Sequence, residues 1–146
     1  MFNKILVPLD GSPVAEAILP YVETLAKCAD AKILLLQVNS EAVMEYAFGE
    51  PHAVRDANHL NNAEGNEYLT QVKAQLVGKG LRVESLAAEG PVAGTILEIA
   101  QDEGADAIAM STHGRSGWRR LVIGSVADEV VRHATIPVLL VRPPYR

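Results

Sequence analysis

Lys4-Ile5-Leu6-Val7-Pro8-Leu9-Asp10-Gly11-Ser12-Pro13 is the stretch that decides the fold class. It opens with an apolar run, Lys4–Leu9, that lacks the polar alternation of a half-solvated strand. Such a run reads as a strand buried on both faces. Asp10-Gly11 then supplies turn chemistry. Ser12 can cap a helix, and Pro13 falls at the first helical position, where its missing N–H costs nothing. A strand that passes through a tight turn into a helix is the repeating step of a parallel sheet.

The same step recurs along the chain. Further short apolar runs occur at Lys32–Val38, Leu81–Ala87, Ala105–Met110 and Ile136–Val141. Segments of helical period lie between them. Val14 to Cys28 carries an apolar stripe at Ala15, Ile18, Leu19, Val22, Leu25 and Ala26. Asn62 to Val77 repeats it with Leu69, Val72 and Leu76, and Gly78-Lys79-Gly80 supplies a glycine stop. Pro91 to Glu103 carries Val92, Ile96, Ile99 and Ala100 and ends at Gly104. Ser125 to His133 turns Val126, Ala127, Val130, Val131 and Ala134 inward and Asp128, Glu129, Arg132 and His133 outward. The order β-α-β-α-β-α-β-α-β predicts an α/β fold, an open parallel sheet with helices on both faces and right-handed crossovers. Asn39–His59 is the least regular part, read as a loop with a short helix. Residues 1–146 form a single domain, the natural size for this length.

Composition narrows the function. Hydrophobic residues make up 49% and aromatic residues 5%, too apolar for a disordered chain. Thirteen basic and eighteen acidic residues leave a net charge of −5, which argues against sequence-independent binding to nucleic acid. Cys28 is the single cysteine, so no intrachain disulfide or cysteine-built zinc site is expected. It is read as an inert, partly buried thiol. No basic leader and no run of membrane-spanning length is seen, so a soluble cytoplasmic protein is expected, with no membrane partner.

Open parallel sheets bind ligands beyond the C-terminal ends of their strands, where strand order reverses. The loops after strands one and four are the places to search. The first is Pro8-Leu9-Asp10-Gly11-Ser12. The second is Ser111-Thr112-His113-Gly114-Arg115-Ser116-Gly117, followed by Gly124-Ser125 at the start of the last helix. Gly114 and Gly117 let backbone N–H groups turn toward an anion. Gly124 and Ser125 sit at a helix N-terminus, where unpaired N–H groups and the dipole favour phosphate. Arg115, Arg119 and Arg120 add local positive charge to an acidic chain. Plainer roles fit the same residues: turn glycines, a capping Ser125, a turn-forming Asp10 and a core Met110. Asp10 in a crevice can instead accept two hydroxyl hydrogen bonds, as from a ribose, and Met110 can line an adenine pocket. His113 has no nucleophile paired with it, and His52, His59 and His133 are read as surface residues. Trp118 is read as a packing anchor or dimer contact. No G-x-x-x-x-G-K-[ST] or G-x-G-x-x-G follows strand one. The acidic pair and lysine of a receiver domain are missing, and no Ser-His-Asp or Cys-His set is suggested.

Over essentially its full length the chain resembles the universal stress protein family. Ile5-Leu6-Val7-Pro8-Leu9-Asp10-Gly11-Ser12 looks like its first strand and turn, Met110 to Val126 like its nucleotide motif, and Ile136 to Arg142 like its last strand. The ATP-binding branch has the pattern G-x2-G-x9-G-[ST]. Gly114, nine intervening residues, Gly124 and Ser125 fit it, and Ser111 replaces the first glycine, near the ribose. The resemblance implies strand order 3-2-1-4-5 and an adenine-nucleotide α-hydrolase-like fold. It implies that Pro8, Asp10 and the Val38 backbone frame adenine and ribose, with Met110 and Ser111 continuing the wall. Gly114, Gly124, Ser125 and Val126 would hold phosphates. The implied ligand is ATP or another adenine nucleotide, with Mg2+ held by phosphates and water. A homodimer through the C-terminal strand Ile136–Val141 is also implied, and pairing there would relieve an exposed edge. Pro137 would limit where pairing begins.

Three functions compete. The first is an ATP-binding regulator of the stress response, acting through its dimer or through protein partners not identifiable from sequence. Slow hydrolysis at most is expected, since no positioned base is evident. The second is a nucleotide-free member acting only through protein contacts, for which Ser111 is the main argument. The third, cleavage of ATP at the α-phosphate, needs S-G-G-x-D-S after strand one, which Asp10-Gly11-Ser12-Pro13 does not supply.

Overall fold

The computed structural model describes residues 1–40, 67–112 and 124–143. Within them lie strands β1 (Lys4–Pro8), β2 (Lys32–Asn39), β3 (Val83–Glu89), β4 (Ala107–Ser111) and β5 (Val138–Val141). They form one sheet in the order β3-β2-β1-β4-β5. Every pairing is parallel, with Ile5 beside Ile33 on one side and beside Ala107 on the other. The helices are α1 (Pro13–Glu16), α2 (Leu19–Ala29), α3 (67–78), α4 (Val92–Asp102) and α5 (Ser125–His133). This is the strand order and the doubly covered α/β architecture that the sequence pattern and the resemblance lead us to expect.

The missing alternation in the central strands has a direct cause. Ile5, Val7, Ile33 and Leu35 enter one apolar layer with Ile18, Val22, Leu69 and Leu76 of the helices. Their neighbours Leu6, Leu34, Leu36 and Ile108 enter a second layer with Ile96, Ala100, Ala127 and Val130. Successive side chains point to opposite faces, and both faces are covered. Helices α1 to α3 cover the first face; α4 and α5 cover the second. The edge strands differ. Leu139 of β5 is 38% exposed, so β5 is not buried on both faces as a uniform reading of the five runs would have it.

Several boundaries shift for identifiable reasons. The helix expected over Val14–Cys28 is two helices, with a turn at Ala17-Ile18. Pro20 has no N–H to donate, and its ring conflicts with the carbonyl four residues earlier, that of Glu16. β3 and β4 each begin two residues later than the apolar runs. The N–H groups of Leu81 and Ala105 bond back to the Leu76 and Ala100 carbonyls at 3.3 and 2.9 Å, closing the preceding helices. Both side chains are buried all the same. β5 begins at Val138 because Pro137 brings no donor to the ladder. Val131 was expected inward and is 43% exposed, since the buried stripe of α5 is Ala127 and Val130. Cys28 was expected partly buried and is exposed on α2. The start of the helix expected at Asn62, the irregular stretch Asn39–His59 beyond Ser40, and His52, His59, His113 and Trp118 lie outside the described residues. Among the described residues no helix is long and apolar enough to cross a membrane.

Candidate functional site

β1 is flanked by β2 and β4, so the crossovers leave it in opposite directions and a crevice opens beyond its C-terminal end. A cavity of about 290 Å³ occupies that crevice. Pro8, Asp10, Val38, Met110, Ser111, Gly124 and Val126 all line it. These residues come from four separate parts of the chain and are brought together by the fold. Ser125 lies between two of the lining residues as the first residue of α5 and is exposed. Gly114, and with it Gly117 and the arginines Arg115, Arg119 and Arg120, lies outside the described residues.

The turn after β1 is built by Asp10. Its Oδ1 accepts the Ser12 backbone N–H at 2.9 Å, an Asx turn that carries the chain sharply away from the sheet. Gly11 takes φ +85°, a left-handed conformation that suits glycine. Ser12 then caps α1, its Oγ accepting the Ala15 N–H at 3.1 Å. Asp10 therefore shapes the turn and also lines the cavity. The Leu9 N–H bonds to the Leu36 carbonyl at 2.8 Å, which ties the start of this turn to β2.

Gly124 gives a different answer. Its φ of −54° and ψ of 154° are open to most residues, so backbone conformation does not require a glycine there. What glycine gives at this position is close approach to the N-terminal end of α5. No described side chain caps that end. The first-turn N–H groups of a helix have no intrahelical partners and carry the positive end of the dipole. Asp128 N–H is the first to find its helical acceptor, the Gly124 carbonyl at 2.9 Å.

Most of the cavity wall is aliphatic. Val38 and Leu36 come from β2, Met110 from β4, Val126 from α5, and Val92 and Ile96 from α4. Val14 and Ala15 of α1 close the opposite side. These α1 and α4 residues were read only as helix-stripe positions, or not at all. Val14 was missed because the expected continuous helix would carry it along the sheet, whereas the break before Pro20 leaves α1 standing over the crevice. Ser111 turns its hydroxyl to α1 and donates to the Ala15 carbonyl at 3.3 Å. Tyr68 of α3 also reaches α1, donating to Glu16 Oε1 at 2.8 Å. Burial pushes the Tyr68 phenol well above its ordinary value, and the hydrogen bond to Glu16 and the charges of Glu16 and Asp10 push the same way. Tyr68 therefore stays protonated and remains a donor. Among the described residues no three His, Cys, Asp or Glu side chains gather into a metal cage.

Comparison with known proteins agrees with this fold. The model of the universal stress protein family matches residues 1–142. Universal stress protein YxiE of Bacillus subtilis is 32% identical over 148 residues, covering 97% of this chain and all of that protein. The solved structure of MJ0577 of Methanocaldococcus jannaschii superposes with a TM-score of 0.86 at 27% identity, covering 100% of this chain and 99% of that one. Two more distant structures share the fold. One is a universal stress protein in complex with cAMP (TM-score 0.72, 19% identical, 97% of each chain). The other is an Arabidopsis thaliana member with AMP bound (TM-score 0.71, 21% identical, 97% of this chain and 92% of that one).

Proposed function

The chain belongs to the universal stress protein family, and from that premise we propose that it binds an adenine nucleotide, ATP by preference, between the loops after β1 and β4. The observation that carries the reading is the convergence of Pro8, Asp10, Val38, Met110, Ser111, Gly124 and Val126 on one cavity at the switch point. Its volume is near the lower end of small-molecule sites, room for a nucleoside rather than a whole triphosphate. Adenine would rest against Val38, Met110 and Val126. Asp10 would accept from the ribose hydroxyls. The phosphates would extend to the N-terminal end of α5, where Gly124 admits them and the Ser125 hydroxyl adds a donor. The cAMP and AMP carried by two structural relatives share adenosine and differ in their phosphate, which supports recognition at the nucleoside end. Mg2+ would arrive with the phosphates and be held by them and by water.

In this reading the protein is a nucleotide-dependent regulator or partner-binding protein of the stress response, with slow hydrolysis at most. Nucleotide occupancy would act on a homodimer formed through β5. That edge supports the assignment, since Leu139 and Tyr21 flank an open apolar groove of about 710 Å³ and are 38% and 55% exposed. A nucleotide-free role through protein contacts is the second reading, favoured by the side chain of Ser111 where the ATP-binding pattern has glycine.

The deciding experiment is to purify the protein from cells, denature it and identify any released nucleotide by mass spectrometry. An adenine nucleotide in the supernatant, and a thermal shift on adding Mg-ATP, are expected. A clean blank with no shift would favour the second reading. Gly124→Val should abolish ATP binding by blocking backbone approach, and unchanged affinity in calorimetry would refute the phosphate assignment. Asp10→Ala should weaken ATP and adenosine alike, and a loss confined to ATP would move Asp10 to the phosphates.

A further inference from the structure

Helix α1 is four residues long and ends in a turn, so its last carbonyls are poorly served. The Ala15 carbonyl receives a long bond from Ile18 N–H, at 3.4 Å, faces the Ala17 N–H that also bonds to Val14, and accepts the Ser111 hydroxyl at 3.3 Å. A helix this short does not hold itself together. It nevertheless supplies the Val14 and Ala15 wall of the cavity. Two side chains reach it from different elements: Ser111 from β4, and Tyr68 from α3 through Glu16. Ser111 is the residue that departs from the glycine of the ATP-binding pattern. A glycine there has no hydroxyl to offer the Ala15 carbonyl.

We propose that Ser111 and Tyr68 are positioning residues that pin α1 between β4 and α3, and that this pinned wall sets the affinity of the crevice for the nucleoside end of its ligand. The inference rests on the adenine-nucleotide reading. The departure at Ser111 is then a device that exchanges backbone openness for a fixed wall, and it does not signal a lost site. Tyr68 sits outside the cavity and acts through Glu16. Ser111 lines the cavity, but its hydroxyl is spent on Ala15.

The test uses the full chain with Ser111→Ala, Ser111→Thr and Tyr68→Phe, and adenosine and AMP as probes in calorimetry well below the unfolding midpoint. Ser111→Ala and Tyr68→Phe should each weaken both probes by about fivefold, the equivalent of one ordinary hydrogen bond. The adenosine-to-AMP ratio should stay unchanged, since the wall faces the nucleoside. Amide exchange at Ala17 and Ile18, whose N–H groups bond to the Val14 and Ala15 carbonyls, should quicken by a similar factor. Ser111→Thr keeps a hydroxyl and should restore both readouts. Binding by the parent chain with unaltered affinity and exchange in Ser111→Ala and Tyr68→Phe would overturn this inference alone. Absence of binding by the parent chain would overturn it together with the nucleotide reading. A Ser111→Thr chain as impaired as Ser111→Ala would also overturn it.

Discussion

Two glycines four residues apart should respond to the same substitution with opposite signs. Gly90 joins β3 to α4, and its N–H bonds to the Asn39 carbonyl at 3.1 Å, so the turn is tied to the end of β2. Its φ is +140°, a region that L side chains rarely enter, and a Cβ built there would stand 2.6 Å from the Oγ1 of Thr95. Thr95 is buried on α4 and cannot swing into solvent. Gly90→Ala therefore meets two costs: backbone strain of about 1–3 kcal/mol, and overpacking of about 1–3 kcal/mol. A total near 3 kcal/mol is expected. With the usual entropy of unfolding per residue, a chain of 146 residues should lose about 10 °C of midpoint. Gly94 is exposed in the middle of the first turns of α4, with nothing within 4 Å of a built Cβ. Gly94→Ala should stabilise by about 0.5–1 kcal/mol through helix propensity and a less flexible unfolded chain.

Urea unfolding followed by circular dichroism reads both. At a typical slope of about 2 kcal/mol per molar, Gly90→Ala should move the midpoint down by about 1.5 M and Gly94→Ala up by a few tenths. Thr95→Ala removes the crowding atom, so in that background Gly90→Ala should recover the share due to contact and keep the share due to φ. A Gly90→Ala chain within 1 kcal/mol of the parent would refute the reasoning, as would a loss in Gly94→Ala comparable to that in Gly90→Ala. Because α4 brings Val92 and Ile96 to the cavity, Gly90→Ala should also weaken AMP where the chain remains folded.

Acid sensitivity should reach the bottom of the sheet through Asp106, whose Oδ2 accepts the N–H groups of Asn3 and Lys4 at 2.6 and 2.9 Å. These bonds hold its carboxyl below the usual value, so its stabilisation is present above the ordinary carboxylate range and is lost as pH falls through the lowered pKa. Asp106→Asn should flatten the acid limb of a stability–pH curve below about pH 4, and an unchanged limb would remove Asp106 from the account. Leu139→Lys should give a monomer in sedimentation equilibrium without loss of AMP binding, whereas a dimer that survives it would move the interface away from β5. Pro20→Ala should raise helicity between α1 and α2 and weaken AMP, since a continuous helix would draw Val14 and Ala15 off the crevice; unchanged affinity would show that Pro20 does not place α1.

The parts of the fold that were legible in the sequence are those in which local chemistry and tertiary packing agree. The runs at Ile5, Ile33 and Ile108 read as doubly buried strands because both neighbouring layers are aliphatic. The places that misled are those where one residue serves two elements. Leu81 and Ala105 are as apolar as any strand residue, yet their N–H groups close helices, and a run of letters does not record where an N–H points. Ile18 and Val22 keep the helical period across the break at Pro20 because both fragments pack on one layer, so the period concealed the break.

The site divides along the same line. Pro8, Asp10, Met110 and Ser111 were legible because strand ends at a switch point are fixed by topology alone. The pinning of α1 was not, because it depends on two side chains, Ser111 and Tyr68, that are 43 positions apart and meet only through a helix between them. From sequence, Ser111 registers as a missing glycine; beside the Ala15 carbonyl it is a donor to a helix end that has few others. The substitution that weakens a motif match thus strengthens a contact, and a pattern scored position by position has no way to credit the second effect against the first.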